Sequence, residues 1–231
     1  MNILGGVARF QGDVFPQQQK LFQALARDGQ KPKTLMISCA DSRVVPELIT
    51  QSGPGELFVC RNAGNIVPPF AMKNGGVSSA VEYAVVALGV SDIIVCGHSD
   101  CGAMKAFFNP EALETMPNVK AWLAHAEPAH EVVRTCCGHM GADEQVQALA
   151  LENIRIQLVH LQNHPSVAAG LAAGRLSLHG WFFDIESGRI LALDHDGDFR
   201  TFDPTEPLPI ALRARRRTNA APSAAGMVEA A

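Results

Sequence analysis

The chain has 231 residues, 47% of them hydrophobic and 18% charged, which fits a folded domain with a substantial core and excludes a disordered polymer. A formal net charge of −4 gives no general electrostatic case for nucleic acid as a partner. The N-terminus, MNILGGVARFQGDVF, lacks the basic start and unbroken apolar segment of a secretory signal, and no apolar run is long enough for a bilayer, so a cytoplasmic location without a membrane partner is expected.

Ile3, Val7 and Phe10 recur at helical spacing, and FPQQQKLFQALARDG reads as a second helix that stops at Gly29. Three short apolar runs follow: TLMIS (34–38), LFVCR (57–61) and DIIVCG (92–97). Between the last two, Val77, Ala80, Val81, Ala84, Val85 and Leu88 mark one face of a helix. Strands alternating with helices predict an α/β fold with a parallel sheet covered by helices. Residues 102–173 read as mainly helical, and the longest element, EQVQALALENIRIQLVHLQNH, is expected to stop at Pro165. LSLHGWFFDI (176–185), a turn at ESGR and then ILALDHDGDFRTF read as strands returning to a sheet edge. One domain is expected over 1–203. Residues 204–231, rich in Pro, Ala and Arg, are expected to be disordered or an interface arm, with RARRR a solvated charge cluster.

Six cysteines in a chain of this size do not make the disulfide framework of a small secreted domain, and there is no CxxC redox pair. Cys60 and Cys96 lie inside apolar runs and read as buried small hydrophobes. The stretch ISCADSRVV (37–45) is different, because Cys39, Asp41 and Arg43 stand together where the first strand should end. Taken alone, Cys39 could be a nucleophile, half a disulfide, a redox thiol or a metal ligand. In CGHSDCGAMK (96–105), His98 and Cys101 are three apart, after a strand and at the start of a helix whose free N–H groups favour a thiolate at Cys101. H-x-x-C by itself is a weak signal.

Topology strengthens it. Functional loops of open α/β sheets gather outside the carboxyl ends of strands, where strand order reverses. If the first and third strands are neighbours with the second outside the first, Cys39, His98 and Cys101 converge across about 5 Å of sheet spacing. Two thiolates and an imidazole are an ordinary Zn²⁺ set, and three protein ligands leave a fourth position open for chemistry. Asp41 then has a role as acceptor and orienter of a hydroxide at that position, with Arg43 keeping its carboxylate ionised and in place. TCCGHM (135–140) mimics a metal box, but three soft groups so close in sequence cannot readily converge from a helix end.

CADSR and HSDCG resemble the two signature motifs of the β-class carbonic anhydrases, C-x-D-x-R and H-x-x-C. The similarity continues through PGELFVCRNAGNIVPP, GGVSSAVEYAV, VSDIIVCGHSDCGAMK and LHGWFFDIESG, over roughly residues 1–203, and is nearest to the bacterial and cyanobacterial branch that also resembles plant chloroplast enzymes. The resemblance implies a central, mostly parallel sheet flanked by helices, with an antiparallel edge strand, assembled as a homodimer or dimer of dimers. It implies a lyase with one zinc ion per chain, held by Cys39, His98 and Cys101, for which CO2 and bicarbonate are the substrates. A zinc-bound hydroxide oriented by the Asp41–Arg43 dyad would attack CO2. By position, Gln30 matches a substrate-contacting glutamine. Phe58 and Tyr83 match apolar pocket positions, supplied in part across the dimer interface, and the Gly102 N–H matches a substrate donor.

Two departures stand out. Bicarbonate-regulated members carry tryptophan three residues before the first cysteine, whereas this chain has Met36, so the constitutively open type is expected, with water or hydroxide rather than Asp41 as fourth ligand. A pocket position usually Val or Ile is Ala63, which would widen the pocket. The competing readings are a CS2 or COS hydrolase on the same zinc site and a non-catalytic zinc-stabilised scaffold. The first would need a restricted access route, and the second has only the basic tail in its favour.

Overall fold

In the computed structural model, which describes residues 2–71, 75–202, 205 and 210–213, the run Thr34–Cys39 forms strand β1, buried at every position but the first. Burial on both faces is what a central parallel strand requires, and it explains the unbroken apolar run. Strands β2 (Leu57–Asn62) and β3 (Asp92–His98) lie parallel to β1 on either side, with Ile37 opposite Cys60 and Val95. Strand β4 (Ser177–Phe183) continues the parallel set beside β3. The order is therefore β2-β1-β3-β4, then antiparallel β5 (Ile190–Leu193) and β6 (Phe199–Thr201), with β7 (Leu212–Arg213) pairing antiparallel to β4. The expected mostly parallel sheet with an antiparallel edge is present, and the edge is a hairpin. Its turn is built by Asp194, whose Oδ1 accepts from the Asp196 and Asp198 N–H groups, each at 2.9 Å.

Helix α1 (Ile3–Arg9) runs through one widened turn, Phe10–Val14, into α2 (Phe15–Asp28), which ends at Gly29 with φ 77°. Short α3 (Pro46–Thr50) follows β1, and α4 (Gly76–Glu82), prolonged by a wide turn to Leu88, follows β2. After β3 come α5 (Gly102–Lys105), α6 (Pro110–Leu113), α7 (Pro117–Leu123), α8 (Glu127–Cys136), α9 (Ala142–Gln162) and α10 (Pro165–Ala172). Pro165 corrects the sequence reading in one respect. The long helix has already ended at Gln162, and Pro165 opens the next one at its first position, where no backbone N–H is needed.

Helix α9 lies close on the sheet because two strand residues have no side chain. A Cβ at Gly97 would sit 2.9 Å from Ile154 Cδ1, and one at Gly180 would sit 2.8 Å from Ile154 Cγ2. Leu149, Ala150, Ile154, Leu158 and Leu161 complete that contact and join the main core with Leu35, Ile37, Ile93 and Val95. Alternate strand residues Met36, Ile94 and Cys96 point to the opposite face and pack with Leu57, Trp181 and Phe183. Among the described residues no helix is long and apolar enough to cross a membrane. Most of the segment 204–231, expected to be disordered or an interface arm, lies outside the described residues.

Candidate functional site

Adjacent parallel strands end on the same side of a sheet, and β1 and β3 end at Cys39 and His98. The chain then turns through Ser99 and Asp100 to Cys101, the residue that caps α5. The turn needs a left-handed residue, and Asp100 takes it at φ 58°. One ligand atom from each of Cys39, His98 and Cys101 lies within 4.8 Å of the others, in the only such group of three among the described residues. Their side chains are almost wholly buried, at 5%, 0% and 1% exposure.

Each group is prepared for a metal. His98 Nδ1 donates to the Ser99 carbonyl at 2.8 Å, because a carbonyl can only accept. That leaves Nε2 as the bare nitrogen, and it is buried with no hydrogen-bond partner, an expensive arrangement unless a cation fills it. Ser99 is itself held by the Phe183 carbonyl, the Ile185 N–H and the Asp184 carboxylate. The Cys39 thiol is drawn down, chiefly by a hydrogen bond from the Cys101 thiol and further by the N–H groups of Gly64 and Asp41, against burial. Cys101 is pushed up, first by donating a hydrogen bond to the Cys39 sulfur and then by burial, although the Met104 and Ala103 N–H groups at the start of α5 oppose this. A divalent cation held between the two sulfurs would displace the proton that links them. The donor set fits zinc. Cys96, one face away, behaves as the sequence suggested: it is fully buried, and its thiol is pushed up to about 12 by burial. Cys60 is half-buried and also raised by burial.

Beside the cluster, the Arg43 backbone N–H and Nε donate to Asp41 Oδ1 at 2.9 and 3.0 Å, and Nη2 donates to Oδ2 at 2.8 Å. This forked contact holds the Asp41 carboxyl well below the usual carboxylate range, the Arg43 side-chain bonds being the main cause. Arg43 Nη1 also donates to Asp100 Oδ2 at 2.7 Å, and Lys105 pairs with the same Asp100 carboxylate. Arg61 escaped the sequence reading. From β2 its Nε donates to the Cys39 carbonyl at 3.1 Å and its Nη2 to the Asp41 carbonyl at 2.7 Å, which clamps the loop joining ligand and dyad. The available signal was a charged residue at the end of an apolar strand. A cavity of about 740 Å³ is lined by Arg43, Ser99, Asp100, Lys105, Asp184 and Arg189 among others, and not by Cys39, His98 or Cys101.

The other expected pocket residues are dispersed within one chain. Gly102, exposed in the first turn of α5, stands next to the ligand Cys101. Gln30 precedes β1, and Phe58 pairs with Leu35 near the start of β2, so both lie toward the amino ends of the strands, whereas Cys39 ends β1. Phe58 is about 13 Å of strand away from the carboxyl end of β2. Tyr83 packs on Phe58 with ring centroids 6.0 Å apart and is 51% exposed.

Comparison with known proteins agrees with this geometry. The carbonic anhydrase family model matches residues 34–190. A carbonic anhydrase of Pseudomonas aeruginosa is 54% identical over 193 residues, 84% of this chain and 87% of that protein. The structure of the β-carbonic anhydrase CcaA superposes with a TM-score of 0.85 at 44% identity, covering 90% of this chain and 92% of that one. One of two tetrameric β-carbonic anhydrases from Sordaria macrospora gives a TM-score of 0.71 at 31% identity, over 86% of this chain and 96% of that one. The α/β fold and its buried Cys-His-Cys group define a metalloenzyme class, and this chain belongs to the β-class carbonic anhydrases.

Proposed function

We propose that the enzyme catalyses the reversible hydration of CO2 to bicarbonate and a proton, with one zinc ion held by Cys39, His98 Nε2 and Cys101. The observation that carries this reading is the orphaned, buried His98 Nε2 between two buried sulfurs, one loop from a locked Asp–Arg pair. Zinc bound there would act as a Lewis acid and supply a nucleophile from water near neutral pH.

The protein's own residues do the rest. Asp41, ionised and gripped at both oxygens by Arg43, accepts a hydrogen bond from the attacking oxygen and orients its lone pair toward CO2. Because Arg43 is braced by Asp100, the carboxylate stays in the dyad rather than turning to the metal. This supports the open type, as does Met36, which packs among Ile94 and Cys96 and offers no indole donor to a regulatory anion. The Gly102 N–H, in a first helical turn and so lacking an intrahelical acceptor, is placed to donate to a substrate oxygen.

Gln30, Phe58 and Tyr83 serve the active site of a neighbouring subunit, since their own chain's site lies at the opposite ends of the strands. A homodimer or dimer of dimers is therefore part of the reading. The arm of α1 and α2 favours assembly, because Ile3 and Leu4 are 69% and 80% exposed, and Phe10 and Leu21 also face outward. Stopped-flow CO2 hydration with metal analysis tests the whole reading. One zinc per chain and rapid hydration are expected, whereas a zinc-loaded protein that turns over CS2 alone would end it.

A further inference from the structure

The turn Ala63–Gly64–Asn65, which follows β2, supplies no side chain to the ligand set or the dyad. Yet the Gly64 N–H donates to Cys39 Sγ at 3.4 Å. Gly64 has φ 78° and ψ 21°, and a Cβ there would meet Ala103 Cβ and Met104 Cε at 3.1 Å, so the turn is wedged against the helix that begins after Cys101. Two other helices grip it. Trp122 on α7 donates its Nε1–H to the Ala63 carbonyl at 2.9 Å. That carbonyl belongs to the same peptide group as the Gly64 N–H, so indole, peptide and sulfur stand in series. A donor on the oxygen strengthens the N–H facing the sulfur.

Asn153 on α9 is fully buried, and its Nδ2 donates to the Gly64 carbonyl at 2.9 Å. Its Oδ1 accepts from Gln157 Nε2 at 2.8 Å, and Gln157 Oε1 accepts from the Val67 N–H at 2.9 Å. A leucine at 153 would fill the helix–sheet contact without any polar burial, so packing alone does not call for a carboxamide there.

We infer that Asn153 and Trp122 are positioning residues of the metal centre, fixing the turn so that the Gly64 N–H stays on the Cys39 sulfur and tunes its bond to the metal. This rests on Cys39 being a metal ligand. The N–H holds the Cys39 sulfur in place and stabilises its lone pairs, as outer hydrogen bonds orient and tune metal ligands. Its loss should loosen the metal and raise the energy of the sulfur lone pairs.

The test uses full-length wild type, Asn153→Leu and Trp122→Phe, loaded with zinc or with cobalt(II), with folding followed by circular dichroism. Expected in both variants are a zinc affinity about 10-fold or more weaker by chelator competition and a thiolate-to-cobalt charge-transfer band at longer wavelength. Leu158→Ala, on the buried side of α9 but away from the turn, should lower Tm while leaving affinity and band unchanged. Folded variants with wild-type affinity and band would overturn the inference, as would a Leu158→Ala band shifted equally. If Asn153→Leu does not fold, Trp122→Phe decides alone. A wild type that binds neither metal would instead overturn the metal reading beneath it.

Discussion

Cys39 and Asp41 are two positions apart and should fail in different ways. Cys39→Ser removes a sulfur ligand and should abolish zinc binding and CO2 hydration together. Asp41→Asn keeps the shape and should retain a full complement of zinc while hydration falls about 100-fold or more, the scale of a lost acid–base group. Unchanged hydration in the folded Asn variant would remove the role given to that carboxylate. The pH dependence has a definite sign. Arg43 depresses the Asp41 pKa in the folded state, so this pair contributes its stability above the ordinary carboxylate value of about 4 and loses it as pH falls through the depressed one. In metal-free protein, the gap in urea midpoint between wild type and Arg43→Gln should hold from pH 7 to about 5 and narrow below about 4. The sequence showed both residues, because their spacing alone places them in one loop. Arg61 was not legible, since its bonds to the Cys39 and Asp41 carbonyls depend on β2 pairing outside β1.

Among the elements, α9 shows where sequence reading stops. Its helical character was legible, but nothing in the sequence marked Asn153 and Gln157, whose partners are the Gly64 carbonyl and the Val67 N–H of a turn about 90 residues earlier. The strands were easier, because runs buried on both faces need no partner to be recognised. Gly97 and Gly180 look like ordinary strand glycines in sequence, yet they decide how near α9 can come. Gly180→Ala would put a Cβ 2.8 Å from Ile154 Cγ2 and 3.1 Å from Leu193 Cβ, neither of which is the free end of a long side chain. Overpacking of this kind costs about 1–3 kcal/mol. A Tm lowered by several degrees is expected, and an unchanged Tm would show that α9 can shift at no cost.

For the whole molecule, the proposal that Gln30 and Phe58 serve a neighbouring subunit rests on their lying toward the start of the strands while Cys39 ends β1. A hybrid of one Cys39→Ser chain with one Gln30→Ala chain tests this. The zinc site of the second chain would receive an intact Gln30 from the first, so the hybrid should recover close to half of wild-type activity. If Gln30 acts within its own chain, the hybrid should be no better than a mixture of the two separate mutants.

The sequence alone determined the strands, the loops at their carboxyl ends and which residues are candidates for the ligand set and the dyad, because burial on both faces and short spacing are local properties of the chain. Only the tertiary structure decided that β2 lies outside β1, that His98 presents a bare Nε2, and that Arg61, Asn153 and Trp122 reach the same few ångströms of backbone around Cys39. Those facts depend on contacts between residues far apart in sequence, and hydrogen-bond direction is set only once strand order and helix seating are fixed.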